Sequence, residues 1–137
     1  MPIFVRCGKC GKRIKRGDIC QCVSKRYKEE DKYKRDIEKW YNSREWKNAR
    51  EIAIERCAGL DIIAYLETGE IVPGEIVHHI VPLEESWKMR CRVENLVYIT
   101  ERTHRKLHEA MKHDRNGVIR YVQKKMKIWE EIMGGYR

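Results

Sequence analysis

Of the five histidines in this 137-residue chain, four fall between His78 and His108. Two of them are adjacent in Val77-His78-His79-Ile80-Val81-Pro82-Leu83, a run with strand character bounded upstream by Gly69 and Pro73-Gly74. The other two, His104 and His108, lie four residues apart in a helical stretch. Neighbours on a strand point to opposite sides, whereas residues four apart on a helix share a face. His104 and His108 can therefore grip one ion through two imidazoles, and a third imidazole from the strand completes a three-ligand site with open positions. Of His78 and His79, one should face the ion and the other a water molecule.

Such a set suits hydrolysis of a phosphodiester. The reaction needs a water activated near neutral pH, a cation on the phosphate oxygens, and relief of charge on the departing oxygen. Histidine, with an unperturbed pKa near 6.5, is largely neutral at pH 7 and can take a proton. Three neutral ligands leave the ion's whole positive charge for the substrate.

The rest of the chain supplies the frame. Asn95-Leu96-Val97-Tyr98-Ile99 reads as a second strand, reached by a loop holding Trp87. Thr100 reads as the N-cap of the helix bearing His104 and His108, with Glu101 in its first turn. A charge-dense run from Lys25 to Asp36 opens a helix that continues through Ile37, Trp40 and Tyr41. Ser43 is a candidate N-cap for a helix reading Trp46, Ala49, Arg50, Ile52, Ala53 and ending near Cys57. Val118, Ile119, Val122, Met126, Trp129, Ile132 and Met133 give a last amphipathic helix. Cys57 and Cys91, with no close cysteine neighbour, read as buried thiols.

Cys7-Gly8-Lys9-Cys10 is followed by Cys20-Gln21-Cys22. Paired thiolates on two short loops can close a tetrahedron around Zn²⁺, so residues 1–26 read as a zinc-ribbon-like four-cysteine segment and 27–137 as a second domain. Clustered pairs suit metal better than a disulfide framework. With 37% charged residues the chain has little material for a large core, and metal staples help a chain this small. A balance of 30 Lys and Arg against 21 Asp and Glu, net +9, favours a polyanionic partner, nucleic acid first. No run of about eighteen apolar residues exists to span a bilayer, and the start lacks a signal peptide's apolar stretch. The expectation is a soluble, cytoplasmic protein with no membrane partner.

Val77-His78-His79-Ile80-Val81-Pro82-Leu83, Glu94-Asn95-Leu96-Val97 and Thr103-His104-Arg105-Lys106-Leu107-His108-Glu109 together resemble the HNH endonucleases of the small kind found in bacteriophages. Tyr41-Asn42-Ser43-Arg44-Glu45-Trp46 and Glu55-Arg56-Cys57 resemble the helical lead-in of phage members. The resemblance covers about residues 40–110. It implies an α+β, mainly helical fold with a ββα-metal core at about 74–112, helical flanks and the N-terminal four-cysteine segment. It implies His78, His104 and His108 as ligands of one divalent ion (Mg²⁺, Mn²⁺, Ni²⁺ or Zn²⁺), His79 as general base, and Asn95 bracing the loop and orienting His79. It further implies DNA cleavage leaving 5′-phosphate and 3′-hydroxyl ends.

The sequence departs from that family in one respect. Many phage members bind a structural zinc through paired cysteines around the core, but here Cys57 lacks its partner, and Thr100 and Thr103 stand where the later pair is usual. That zinc is expected to be missing. Arg90, Arg92, Arg102, Arg105 and Lys106 flank the histidines and are candidate DNA contacts, of the kind that position a duplex without reading it. Phage relatives also point to a role in DNA packaging beside a terminase. The alternative reading is a non-catalytic zinc-containing nucleic-acid-binding module, in which His79→Ala would leave function intact.

Overall fold

The computed structural model describes residues 1–134, leaving aside the side chains of residues 24–28. It divides into two compact units, Met1–Ser43 and Arg44–Arg137. The expected division after residue 26 falls inside a continuous helix, so the units part where that helix ends.

In the first unit, β1 (Phe4–Arg6) and β2 (Arg13–Lys15) pair antiparallel, and helix α1 runs from Gln21 to Tyr41. The helix starts earlier than the charge run suggests, because Cys20 already has extended N-cap geometry. Ser43 Oγ donates to Trp40 O and Asn42 Nδ2 donates to Glu38 O, closing the last turn of α1.

The second unit begins with α2 (Arg44–Arg56), whose buried stripe is Trp46, Ala49 and Ala53. Next comes α3 (Ile62–Thr68), an element with no counterpart in the sequence reading: Asp61 caps it and Gly69, at φ 74°, ends it. At seven residues it is too short to show a helical period in the sequence. Strands β3 (Ile76–His79) and β4 (Leu96–Ile99) pair antiparallel, with His78 opposite Val97 and His79 opposite Leu96. Gly74 lies against the Tyr98 ring, where an added Cβ would come within 2.4 Å of a ring carbon. Two 3₁₀ turns, Trp87–Met89 and Val93–Asn95, occupy the loop between the strands. Helix α4 (Glu101–Met111) follows β4 directly, Thr100 accepting the Thr103 N–H as its cap. Helix α5 (Arg115–Gly134) completes the unit, and Asp114 Oδ1 accepts the Gly117 N–H in its first turn.

Ile62, Ile63, Ile80, Val97, Ile99, Leu107, Val122, Met126 and Trp129 form the core of this unit, with Cys57 among them. Cys91, expected to be buried, is only half-buried, since it lies in the surface loop between the two 3₁₀ turns. Trp129 Nε1 donates to Arg56 O and Arg56 pairs with Glu130, fastening α5 to the end of α2. The strand–strand–helix order of β3, β4 and α4 places the histidines on one small platform. Among the described residues, no helix is long and apolar enough to cross a membrane.

Candidate active site and metal centres

The strand alternation sends the two adjacent histidines to different neighbours. His78 packs edge-on against His104 and His108, with ring centroids 5.2 and 5.6 Å away. The ligand nitrogens of these three residues all lie within 4.8 Å of one another. Nε2 of His104 and Nε2 of His108 face each other at 2.9 Å. Two nitrogens bound at about 2.1 Å and at right angles would be about 3.0 Å apart, so the pair is spaced for one ion. Burial falls from His78 through His104 to His108, which is exposed, so the cluster is closed at the strand and open to solvent at the helix. Desolvation, followed by the neighbouring His104, His108 and His79, holds His78 down to about 3. His78 is thus neutral at pH 7, as an imidazole ligand must be.

His79 turns the other way and lies on the Trp46 indole, with centroids 5.1 Å apart and planes 20° from parallel. Its Nε2 is 2.9 Å from the Arg90 carbonyl oxygen. A carbonyl can only accept, so Nε2 carries the hydrogen and the lone pair sits on Nδ1. Burial pushes the His79 pKa down, partly offset by the Arg90 carbonyl. A neutral imidazole with a defined tautomer is the form that can take a proton.

Asn95, 2% exposed, ties the strand-connecting loop together. Its Oδ1 accepts from Val81 N at 2.8 Å, while its Nδ2 donates to Val81 O at 3.0 Å and to Met89 O at 3.5 Å. The loop it fastens is the one carrying the Arg90 carbonyl that holds His79.

Below α4 lies a residue the sequence reading passed over. Asp61, wholly buried, takes the N–H groups of Ile63 and Ala64 on Oδ1. Its Oδ2 takes the Thr100 N–H and hydroxyl and the Thr103 hydroxyl, at 2.9, 2.8 and 2.6 Å. One carboxylate thereby joins the N-termini of α3 and α4, where helix dipoles favour negative charge. Burial pushes its pKa up, but the Ala64 N–H, the Thr103 hydroxyl and the Thr100 groups outweigh it and hold the carboxyl below its ordinary value. Thr100 and Thr103, which stand where the family often has cysteines, are thus engaged with a carboxylate. Cys57 Sγ accepts from Tyr98 N at 3.5 Å. A lone aspartate before the apolar pair Ile62-Ile63 is the signal that could have pointed to this cap. Trp46 gave no such signal, since only the fold brings it under His79.

The candidate DNA contacts are not all placed beside the histidines. Arg90 lies beside His79, its guanidinium 4.8 Å from the Trp87 ring centroid and its Nη1 donating to Trp87 O. Arg92 is exposed on the same loop. Arg105 pairs with Glu101 one turn away. Arg102 and Lys106, about 160–200° around α4 from His104, line a separate pocket of about 280 Å³ that also holds Glu67, Glu70 and Glu75.

In the N-terminal unit, Cys7, Cys10, Cys20 and Cys22 place their sulfurs within 4.8 Å of one another. The Cys7–Cys22 and Cys10–Cys20 sulfurs are 3.7 and 3.5 Å apart. Tetrahedral ligands at about 2.3 Å would stand about 3.8 Å apart, so the four thiols fit Zn²⁺. The backbone N–H groups of Cys10 and Lys9 point at the Cys7 sulfur and lower its pKa to about 6. The unusual Cys20-Gln21-Cys22 spacing is accommodated because Cys20 caps α1 and Cys22 lies in its first turn.

No protein-family model and no curated protein sequence matches this chain. Among solved structures, the chain is similar to the manganese-bound HNH endonuclease of the deep-sea thermophilic bacteriophage GVE2, with 32% sequence identity and a TM-score of 0.53. The match covers 97% of that enzyme and 64% of this chain. This chain belongs to the HNH endonucleases. As an HNH endonuclease it is a metal-dependent nuclease of phage type, and its ββα unit is the part that carries the histidines. More than a third of the chain, by contrast, lies outside the match with the phage enzyme.

Proposed function

We propose that this HNH endonuclease hydrolyses DNA phosphodiester bonds, with His79 as general base and His78, His104 and His108 holding one divalent ion. The observation that carries this reading is the division of the adjacent histidines, His78 toward the imidazole pair and His79 toward Trp46 and Arg90. When bound, the ion would supply positive charge to the phosphate oxygens and to the departing oxygen. The manganese of the phage neighbour supports a divalent ion, and Mg²⁺, Mn²⁺, Ni²⁺ and Zn²⁺ are the candidates.

The protein's own groups divide the remaining work. The Arg90 carbonyl fixes the hydrogen on His79 Nε2, so Nδ1 accepts the proton of the attacking water. Stacking on Trp46 limits rotation of the ring. Asn95 fastens the loop that carries the Arg90 carbonyl and so orients His79 through it. Arg90 and Arg92 border the base and would hold phosphates, giving weak sequence preference and steep salt dependence. The four cysteines bind a structural Zn²⁺ in the N-terminal unit. A role in DNA packaging beside a terminase rests on the resemblance of the sequence to phage nucleases alone; faster cleavage on adding that partner would support it, and an unchanged rate would remove it.

The test is cleavage of supercoiled plasmid by wild type and His79→Ala, each stripped of metal and resupplied with each ion. Metal-dependent cutting by wild type should fall by about 10²–10⁴-fold in His79→Ala while DNA binding survives. Equal cutting by the two proteins would remove His79 from the chemistry.

A further inference from the structure

The N-terminal unit carries charge out of proportion to its size. Residues 1–43 hold 13 Lys and Arg against 6 Asp and Glu, net +7 of the chain's +9, whereas residues 44–137 hold 17 against 15, net +2. No acidic residue occurs before Asp18. Four thiolates around Zn²⁺ would contribute −2 and leave the unit basic.

The hairpin arranges part of this charge on one side. Phe4 stands opposite Lys15, Val5 opposite Ile14, and Arg6 opposite Arg13. Cross-strand partners share a face and successive residues alternate, so Phe4, Arg6, Arg13 and Lys15 lie on one face and Val5 and Ile14 on the other. All four residues of the first face are exposed. The Arg13 guanidinium lies 4.6 Å from the centre of the Phe4 ring, which holds its side chain across the strand pair.

Like charges directly opposite each other weaken a strand pair, and Arg6 and Arg13 are directly opposite. Among the described residues, no carboxylate pairs with Arg6, Arg13 or Lys15. Elsewhere in the chain exposed cations do find such partners, as Arg105 finds Glu101, Lys112 finds Glu109 and Arg115 finds Glu85. The hairpin thus holds three cations on one face with no carboxylate partner among the described residues, the Arg6 guanidinium donating only to the Gly11 carbonyl, beside four cysteines that could hold a metal.

We infer that the Phe4–Arg6–Arg13–Lys15 face is a second nucleic-acid-contact surface, one that takes the phosphate backbone of duplex DNA. The inference rests on the nuclease reading only in naming DNA as the polyanion. A duplex backbone answers the repulsion between Arg6 and Arg13 with an anion for each, and a two-stranded ribbon is a shape that duplex grooves admit. The contact is independent of base sequence, because guanidinium and ammonium groups on phosphate carry no sequence information. It adds affinity to an enzyme whose histidine-bearing unit is nearly neutral.

The test compares full-length, zinc-loaded wild type with Arg6→Gln/Arg13→Gln/Lys15→Gln in binding a short blunt duplex across about 50–200 mM salt. Loss of three phosphate contacts should lower the slope of log affinity against log salt by about 2.7 and weaken binding on the order of 10–100-fold at physiological salt. Mn²⁺-supported hydrolysis of bis(4-nitrophenyl) phosphate should be unchanged, because that substrate has no backbone to hold. Arg6→Lys/Arg13→Lys keeps the charge and should keep the slope; it also reports on the face should the glutamine variant lose its zinc. Arg120→Gln/Lys124→Gln/Lys127→Gln, which removes three exposed charges from α5, should change the slope by less than about 1. An unchanged slope in the hairpin variant, or an equal loss in the α5 variant, would overturn the assignment. Wild type that neither hydrolyses the ester nor binds the duplex would instead sink the nuclease reading itself.

Discussion

The two candidate metal-ligand clusters of this protein differ in ways that would separate a staple from a catalyst. The cysteine cluster offers four anionic ligands from within sixteen residues, Cys7 to Cys22, and four ligands close a tetrahedron. The histidine cluster offers three neutral ligands from a strand and a helix, with an exposed member at its mouth. Their supports differ as well. Among the described residues of the N-terminal unit only Cys20 and Trp40 are buried hydrophobics, whereas the second unit encloses an apolar core running from Cys57 to Trp129. A unit with so little apolar burial would depend on a bound metal to fold, while a unit with a core can keep a metal site in waiting.

That contrast predicts unequal responses to metal loss. Cys7→Ser/Cys10→Ser should unfold the β1–β2 hairpin, since structural zinc contributes on the order of 10 kcal/mol to folding in small domains. Amide exchange would show it as lost protection in β1 and β2, with β3 and β4 still protected. Retained protection in the hairpin would show that zinc is not its support.

Asp61 tests the opposite claim, that the second unit is held by its own groups. Asp61→Ala strands the hydroxyls of Thr100 and Thr103 and the N-termini of two helices, and should cost on the order of 3–5 kcal/mol in denaturant unfolding. A cost below about 1 kcal/mol would show that water replaces the carboxylate. Because the folded-state pKa is depressed, the unfolded chain binds a proton here more readily. The contribution is therefore fully present above about pH 4 and is lost as pH falls through the lower folded value. Asp61→Asn should flatten this acid limb of the stability curve, and an unchanged limb would place its origin in other carboxylates.

Smaller effects sharpen the picture at the site. Trp46→Leu removes the stack on His79 and should cost about 0.5–1.5 kcal/mol beyond the loss of area, with a larger fall in kcat than in DNA affinity. An unchanged kcat would make Trp46 scaffold alone. Arg105→Ala breaks an exposed pair with Glu101 and should shift stability by no more than about 0.5 kcal/mol. A larger destabilisation would mean the pair is part of the fold.

Much of the candidate site's arrangement was legible because its signals are local. The adjacent histidines, the His104–His108 interval and the Thr100 cap each lie within a few residues, where strand alternation and helical period apply directly. The cysteine cluster was legible for the same reason. Asp61 and Trp46 were not, because their roles depend on partners such as Thr100, Thr103 and His79 that the folded chain alone brings near. Helix α3 escaped notice because seven residues are too few to display a period. Arg102 and Lys106 lie near the histidines in sequence but line a separate pocket, because on a helix such nearness spreads side chains around the axis.

The most direct test of the division between the clusters is a count of metal ions by type in wild type and in His104→Ala/His108→Ala. Wild type should hold one tightly bound Zn²⁺ and take up one further Mn²⁺ by calorimetric titration. The double variant should retain its Zn²⁺, lose the Mn²⁺ isotherm and lose plasmid cleavage. Undiminished Mn²⁺ uptake by the double variant would contradict the account, because the histidines would then not hold the ion.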